Sequence, residues 1–151
     1  MAEKVVTELS QDLVNFLQGE KLVFLHTTDF ETGAPNVAAI SWLLAISPKV
    51  IRFAVDPRSR IVSNIKKDGR VSVAVLGPDS CYSISGVAKA DTENLEGVAL
   101  KMIKVEIAID EVRDVMFYGA KLLAEPKYEK TYDPKLAEKY DTEVYTALKK
   151  G

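Results

Sequence analysis

The residues of this chain best suited to chemistry lie in AVDPRSRIVSNIKKDGR, residues 54–70. Here a strand-like ending runs into a short helix that carries Arg58 and Arg60 around Ser59 in its first turn, with Asp56 the expected cap and Pro57 the expected first helical residue. The first turn of a helix presents unsatisfied N–H groups and partial positive charge, which ordinarily favours Asp or Glu by about 0.3–1 kcal/mol. Arginines placed there require an anion. Backbone donors, a hydroxyl and one or two guanidinium groups together suit a phosphate. A plainer pairing stands equally on charge placement: Arg58 bonds Asp56, and Lys66 and Lys67 complement the helix C-terminus. Ile61, Val62 and Ile65 share the inward face of the same helix.

The positive charge is local. Five cations and two acids fall between Asp56 and Arg70, a net +3 against −5 for the remainder of a 151-residue chain with net charge −2. Such a chain has no overall electrostatic attraction for nucleic acid. Its composition, 47% hydrophobic and 28% charged, suits one domain over residues 1–151. The single Cys81 leaves no internal disulfide and suits a reducing compartment, and neither a leader nor a membrane span is read, so the expected location is cytoplasmic.

Several chemistries lack their residues. There is no glycine pattern for a dinucleotide after a strand and no phosphate loop ending in Lys-Ser/Thr. His26 is the only histidine and Cys81 the only thiol, so no metal cluster is expected beyond the open case of a carboxylate-only magnesium site. His26 reads as a hydrogen-bonded strand residue, Cys81 as a small buried side chain, and Tyr128, Tyr132, Tyr140 and Tyr145 as anchors of the C-terminal region. No catalytic residue is assigned.

The elements that position the charged stretch alternate at period two: KLVFLHTT, NVAAISWLLAI, VIRFAV, VSVAVL, CYSISGVAKA and VEIAID. Ser10 is the expected cap of an early helix, a second helix is expected after Thr92, and Asp133-Pro134 opens a terminal helix. Six strands with short connections and about four helices predict an α+β, mainly β, antiparallel barrel, closed or nearly closed. NVAAISWLLAI is apolar on both alternate faces. If one fills a barrel, the other needs a helix, a second subunit or a flat ligand over it.

In their order, GAPNVAAISW, then VIRFAVDPRSRIVSNIKKDGRVSVAVL, then YSISGVAKA resemble the FMN-binding split barrel of the pyridoxamine 5'-phosphate oxidase-like superfamily, over about residues 20–120. The resemblance implies a six-stranded antiparallel split β-barrel with flanking short helices, a homodimer, and FMN in a groove between subunits. It places the phosphate at Ser59 and Arg60 with Arg58 and Asn64 nearby, and the ring along Ala39, Ile40 and Ser41, close to Val55 and Trp42. The implied activity is transfer of electrons or hydride between a donor such as NAD(P)H and a small-molecule substrate. A non-catalytic flavin store, or a barrel using deazaflavin or haem with His26 as the only imidazole, is the alternative. Two departures stand out. Arg58-Ser59-Arg60 replaces a Ser-Arg-Lys run, and no arginine or histidine follows Arg113, so oxidation of pyridoxamine phosphate is not expected.

Overall fold

Ser10 caps the first helix as expected, its Oγ accepting the Leu13 N–H at 3.2 Å, and α1 (Gln11–Phe16) buries Leu13. This computed structural model describes residues 5–151; residues 1–4, on which the reading of the N-terminus as leader-free partly falls, lie outside the described residues. After α1 the chain enters one antiparallel sheet whose ordered path is β3 (Pro35–Ile40), β2 (Val23–Thr28), β6 (Arg70–Leu76), β7 (Cys81–Asn94), β8 (Ile103–Asp114), β5 (Val50–Val55) and β4 (Leu43–Ser47). A two-residue strand, β1 (Val5–Val6), also pairs with β8.

The path therefore has seven strands rather than the six expected, and its two edges, β3 and β4, are not hydrogen-bonded to each other. The extra strand arises because NVAAISWLLAI is two strands. Ser41 and Trp42 carry the chain from one edge of the sheet to the other, a span of two residues that keeps the edges adjacent without a ladder between them. The side-chain period slips there. Asn36, Ala38 and Ile40 are the less exposed set of β3, whereas Leu43 and Ala45 of β4 enter the main core. A slip of one residue exchanges the faces of a strand, so one apolar run serves two surroundings.

The main core is filled by alternate residues of the sheet, among them Val23, Leu25, Ile51, Phe53, Val73, Ile84, Val105 and Ile107. Val62 and Ile65 of α2 (Arg60–Lys67) join them, as their spacing requires. On the other side of β4 and β5 lies α3 (Pro134–Lys149), capped by Asp133, whose side chain accepts the Lys135 N–H. Val144 and Leu148 of α3 pack on Leu44 and Ala54.

Three helices are present among the described residues, not four. The helix expected after Thr92 is instead the end of β7, which pairs Asn94 with Ile103 before a turn closed by Leu95 N–H donating to the Met102 carbonyl. Thr92 offered a cap, but it lies in the extended end of β7, within the register irregularity between Ala90 and Asn94, a conformation that suits a β-branched residue.

Candidate functional site

At the start of α2 the chain turns before it becomes helical. Asp56 Oδ1 accepts the Arg58 N–H at 2.8 Å, the Ser59 N–H reaches the Asp56 carbonyl at 2.9 Å, and Ser59 remains extended (φ −61°, ψ 144°). The cap is thus Ser59, whose Oγ accepts the Ile61 N–H, and the first helical residue is Arg60; Asp56 and Pro57 form the turn before it. An Asp side chain that bonds the backbone two residues on stabilises a turn in place of a helical start.

The two arginines have different fates. Arg58 lies in solvent and bonds Asp56 at 2.9 Å, which holds the Asp56 carboxyl down to about 2. Arg60 reaches back to the loop between β2 and β3: Nε donates to Asp29 Oδ1 at 2.6 Å, and Nη2 donates to Asp29 Oδ2 at 3.1 Å and to Glu31 Oε1 at 2.9 Å. Its guanidinium lies 4.7 Å from the centre of the Phe30 ring. Nη1 has no hydrogen-bond partner among the described residues.

Asp29 is the hub of this loop. Besides Arg60 it accepts the Asn36 amide and the N–H groups of Thr32 and Glu31. The Arg60 bond first, then those donors, hold its carboxyl well below the usual carboxylate range despite burial. The two carboxylates, Asp29 more than Glu31, in turn raise Arg60. Asn64, 1% exposed, ties α2 to the same loop, since Oδ1 accepts the Phe30 N–H at 2.8 Å and Nδ2 donates to Thr27 Oγ1 at 2.9 Å.

A cavity of about 530 Å³ opens between this helix start and β3. Thr27, Asn36, Ser59, Arg60 and Asn64 give it a polar side, and Pro35, Val37, Ala38 and Ile61 an apolar one. Of the residues expected to hold a cofactor, Ser59, Arg60 and Asn64 line it together. Arg58 stands outside it beside Asp56, Ala39 and Ile40 continue along β3, and Val55 is buried in the main core. Trp42 is drawn to the α3 side, where Nε1 donates to Asp141 Oδ1 at 2.8 Å. The neighbouring Ser41 carbonyl accepts from the Tyr145 hydroxyl at 2.7 Å.

Sequence reasoning missed Asp29, Glu31, Thr27 and Asn36. The signal for Asp29 was present in DFETGAP, an acid followed by turn residues, yet nothing local says that its carboxylate also receives an arginine 31 positions later. A second cavity, about 430 Å³, lies between the end of α1 and α3 beside Glu20, Lys130, Asp141 and Tyr145. Among the described residues no group of three or more His, Cys, Asp or Glu is placed to hold a metal ion, and no helix is long and apolar enough to cross a membrane.

The family model described as pyridoxamine 5'-phosphate oxidase matches residues 9–117, from the helix before β2 to the end of β8. The chain belongs to the pyridoxamine 5'-phosphate oxidase family. Its match takes in the Arg60 cavity and leaves α3 outside. Solved structures resemble this family member at the level of the fold. A Lactobacillus delbrueckii protein provisionally described as a pyridoxamine 5'-phosphate oxidase aligns with TM-score 0.64 and 19% identity, over 74% of this chain and 98% of that one. An F420 reductase aligns with TM-score 0.58 and 16% identity, over 69% and 98%. A haem-binding protein of Mycobacterium smegmatis aligns with TM-score 0.53 and 18% identity, over 68% of this chain and 52% of that one. No curated protein matches the chain.

Proposed function

We propose that this protein is a homodimeric FMN-binding flavoprotein, one cofactor domain per chain, that passes electrons or hydride between a reduced donor such as NAD(P)H and a small acceptor. The observation that carries the reading is the cavity lined by Ser59, at the N-terminus of α2, and by Arg60, whose Nη1 has no hydrogen-bond partner among the described residues. Those donors suit a phosphoryl group, and the apolar wall of Val37, Ala38 and Ile61 suits the remainder of a flavin. Bound flavin supplies the redox chemistry; the protein supplies position, access and electrostatics.

In this reading Ser59 and Arg60 hold the phosphoryl end and Arg58 contributes charge from the rim. Asn64 acts by fixing the loop against α2, since both ends of its amide are already bonded within the protein. The ring lies along Ala39, Ile40 and Ser41, with Val55 and Trp42 as packing behind that strand segment. The second subunit is supported by the outer face of β3, where Val37 is 60% exposed and Ala39 is exposed beside it at an unpaired edge. A cytoplasmic location accords with the lone thiol of Cys81.

A second reading, haem in place of flavin, is favoured by one observation. The register His26 opposite Val37 and Phe24 opposite Ala39 puts the single imidazole on that same outer face, with a 3.4 Å contact to the Ser72 carbonyl as its hydrogen-bonding contact among the described residues. The F420 reductase and the haem-binding protein of similar fold make deazaflavin and haem the two comparison ligands.

The test is the absorption spectrum of the purified protein before and after dialysis against FMN, deazaflavin and haem. Retained flavin bands that bleach on adding NAD(P)H support the oxidoreductase; retained bands that stay oxidised with both nicotinamides reduce it to a flavin store. No retained FMN overturns the proposal, and Arg60→Ala should weaken FMN binding about tenfold or more.

A further inference from the structure

The guanidinium of Arg60 offers two places where an oxyanion can be gripped by a pair of parallel N–H groups: a side edge made by Nε and Nη2, and an end made by Nη1 and Nη2. Asp29 fills the side edge with bonds of 2.6 and 3.1 Å. Glu31 takes the second Nη2 hydrogen at 2.9 Å and so blocks one prong of the end, while Nη1 has no partner among the described residues. The two acids also differ in their attachment. Asp29 is buried and bonded to four further donors, counting both the Thr32 hydroxyl and its N–H, whereas Glu31 has a side chain 61% exposed and bonds only Arg60 through its carboxylate.

We propose that Glu31 is a specificity-determining gate: it occupies the end of Arg60 until a phosphoryl group replaces it, while Asp29 anchors the side edge and keeps the guanidinium aimed into the cavity. This rests on the phosphate end of the flavin reading. A ligand without a phosphoryl group has no need to displace Glu31, so the gate lowers the affinity for phosphorylated flavin alone and sets how far it is preferred over unphosphorylated flavin. Occupation of the end by Glu31 also keeps the arginine paired when the cavity holds no anion. Because an exposed ion pair is weak and a buried, multiply bonded one is not, Glu31 leaves and Asp29 stays.

The experiment measures FMN and riboflavin affinity by fluorescence titration for the full chain, Glu31→Gln and Asp29→Asn. Glu31→Gln is expected to tighten FMN about two- to fivefold and to leave riboflavin unchanged. Unchanged FMN affinity overturns the gate. Equal tightening in Asp29→Asn also overturns it, because simple removal of negative charge then explains the gain. If neither flavin binds any of the three proteins, the flavin reading fails by itself, and the gate is decided with inorganic phosphate followed through the NMR resonance of the Arg60 Nε–H. Tighter phosphate binding by Glu31→Gln alone upholds it, and equal binding by all three proteins overturns it.

Discussion

The hydroxyl of Tyr145 donates to the Ser41 carbonyl at 2.7 Å and accepts the Glu20 N–H at the same distance. One side chain of α3 thereby joins the link between the two edge strands to the segment that follows α1, across more than a hundred residues.

Tyr145→Phe removes both bonds and is expected to lower unfolding free energy by about 1–2 kcal/mol, measured by urea denaturation. Burial pushes the Tyr145 phenol above its ordinary 10.0, so the folded state keeps a proton that the unfolded state loses. This contribution is full below pH 10.0 and is lost as pH rises beyond it, giving the wild type a steeper alkaline decline than Tyr145→Phe. Parallel alkaline profiles would remove Tyr145 as the cause.

Asp29 works in the opposite direction of pH. Its carboxyl is depressed in the folded protein by Arg60 first, so its stabilisation is full above the ordinary 3.8 and is lost as pH falls below it. Asp29→Asn is expected to be less stable than wild type at pH 7, with the difference shrinking between about pH 5 and pH 2. Thermal melts across that range test it; a constant difference would mean that the loss comes from loop geometry and not from charge.

Arg52, 7% exposed, acts as the end-stop of α3. Nη1 donates to the carbonyls of Leu148 and Lys150, Nη2 to that of Gly151, and Nε to Glu106. Arg52→Ala leaves these acceptors short of donors and is expected to cost about 3 kcal/mol or more. Trp42 is the only tryptophan and is bonded to Asp141 of α3, so its emission reports whether α3 is seated. In Arg52→Ala the emission should shift to the red at lower urea than the loss of sheet circular dichroism, whereas coincident transitions would count against a separately detaching helix.

Gly86 sits where the β7–β8 register shifts. A Cβ added there would lie 2.2 Å from the Ala108 carbonyl oxygen and 2.8 Å from Ile107 Cγ2. Gly86→Ala is expected to destabilise by about 1–3 kcal/mol, read as a lower urea midpoint, because backbone and a core isoleucine must both give way.

Much of the fold is legible in local pattern. Ser10 and Asp133 cap the helices they precede, and period two marks most strands. What is not legible is partnership over distance. The run around Ser41 and Trp42 shows its doubled apolar character, but only the sheet's two edges explain it, with α3 covering β4 and Val37 of β3 left exposed among the described residues. At the site the demand of Arg60 for an anion is readable from the helix dipole, whereas the identity of the anion is not: the chain brings its own Asp29 and Glu31. Thr92 misleads for the same reason, since a cap signal competes with a partner strand that lies beyond the next turn.

The strand order also bears on how the sheet can assemble. β6, β7 and β8 pair with sequence neighbours, as do β2 with β3 and β4 with β5, while along the seven-strand path two seams, β2 to β6 and β5 to β8, join distant segments, and the two-residue β1 adds a third on β8. A central meander thus offers two docking edges to two small hairpins, and those hairpins are leashed to each other by Ser41 and Trp42 alone. Once either docks, the other is confined to a volume a few residues across, so the second seam forms at a high effective concentration and the two distant closures become one cooperative event.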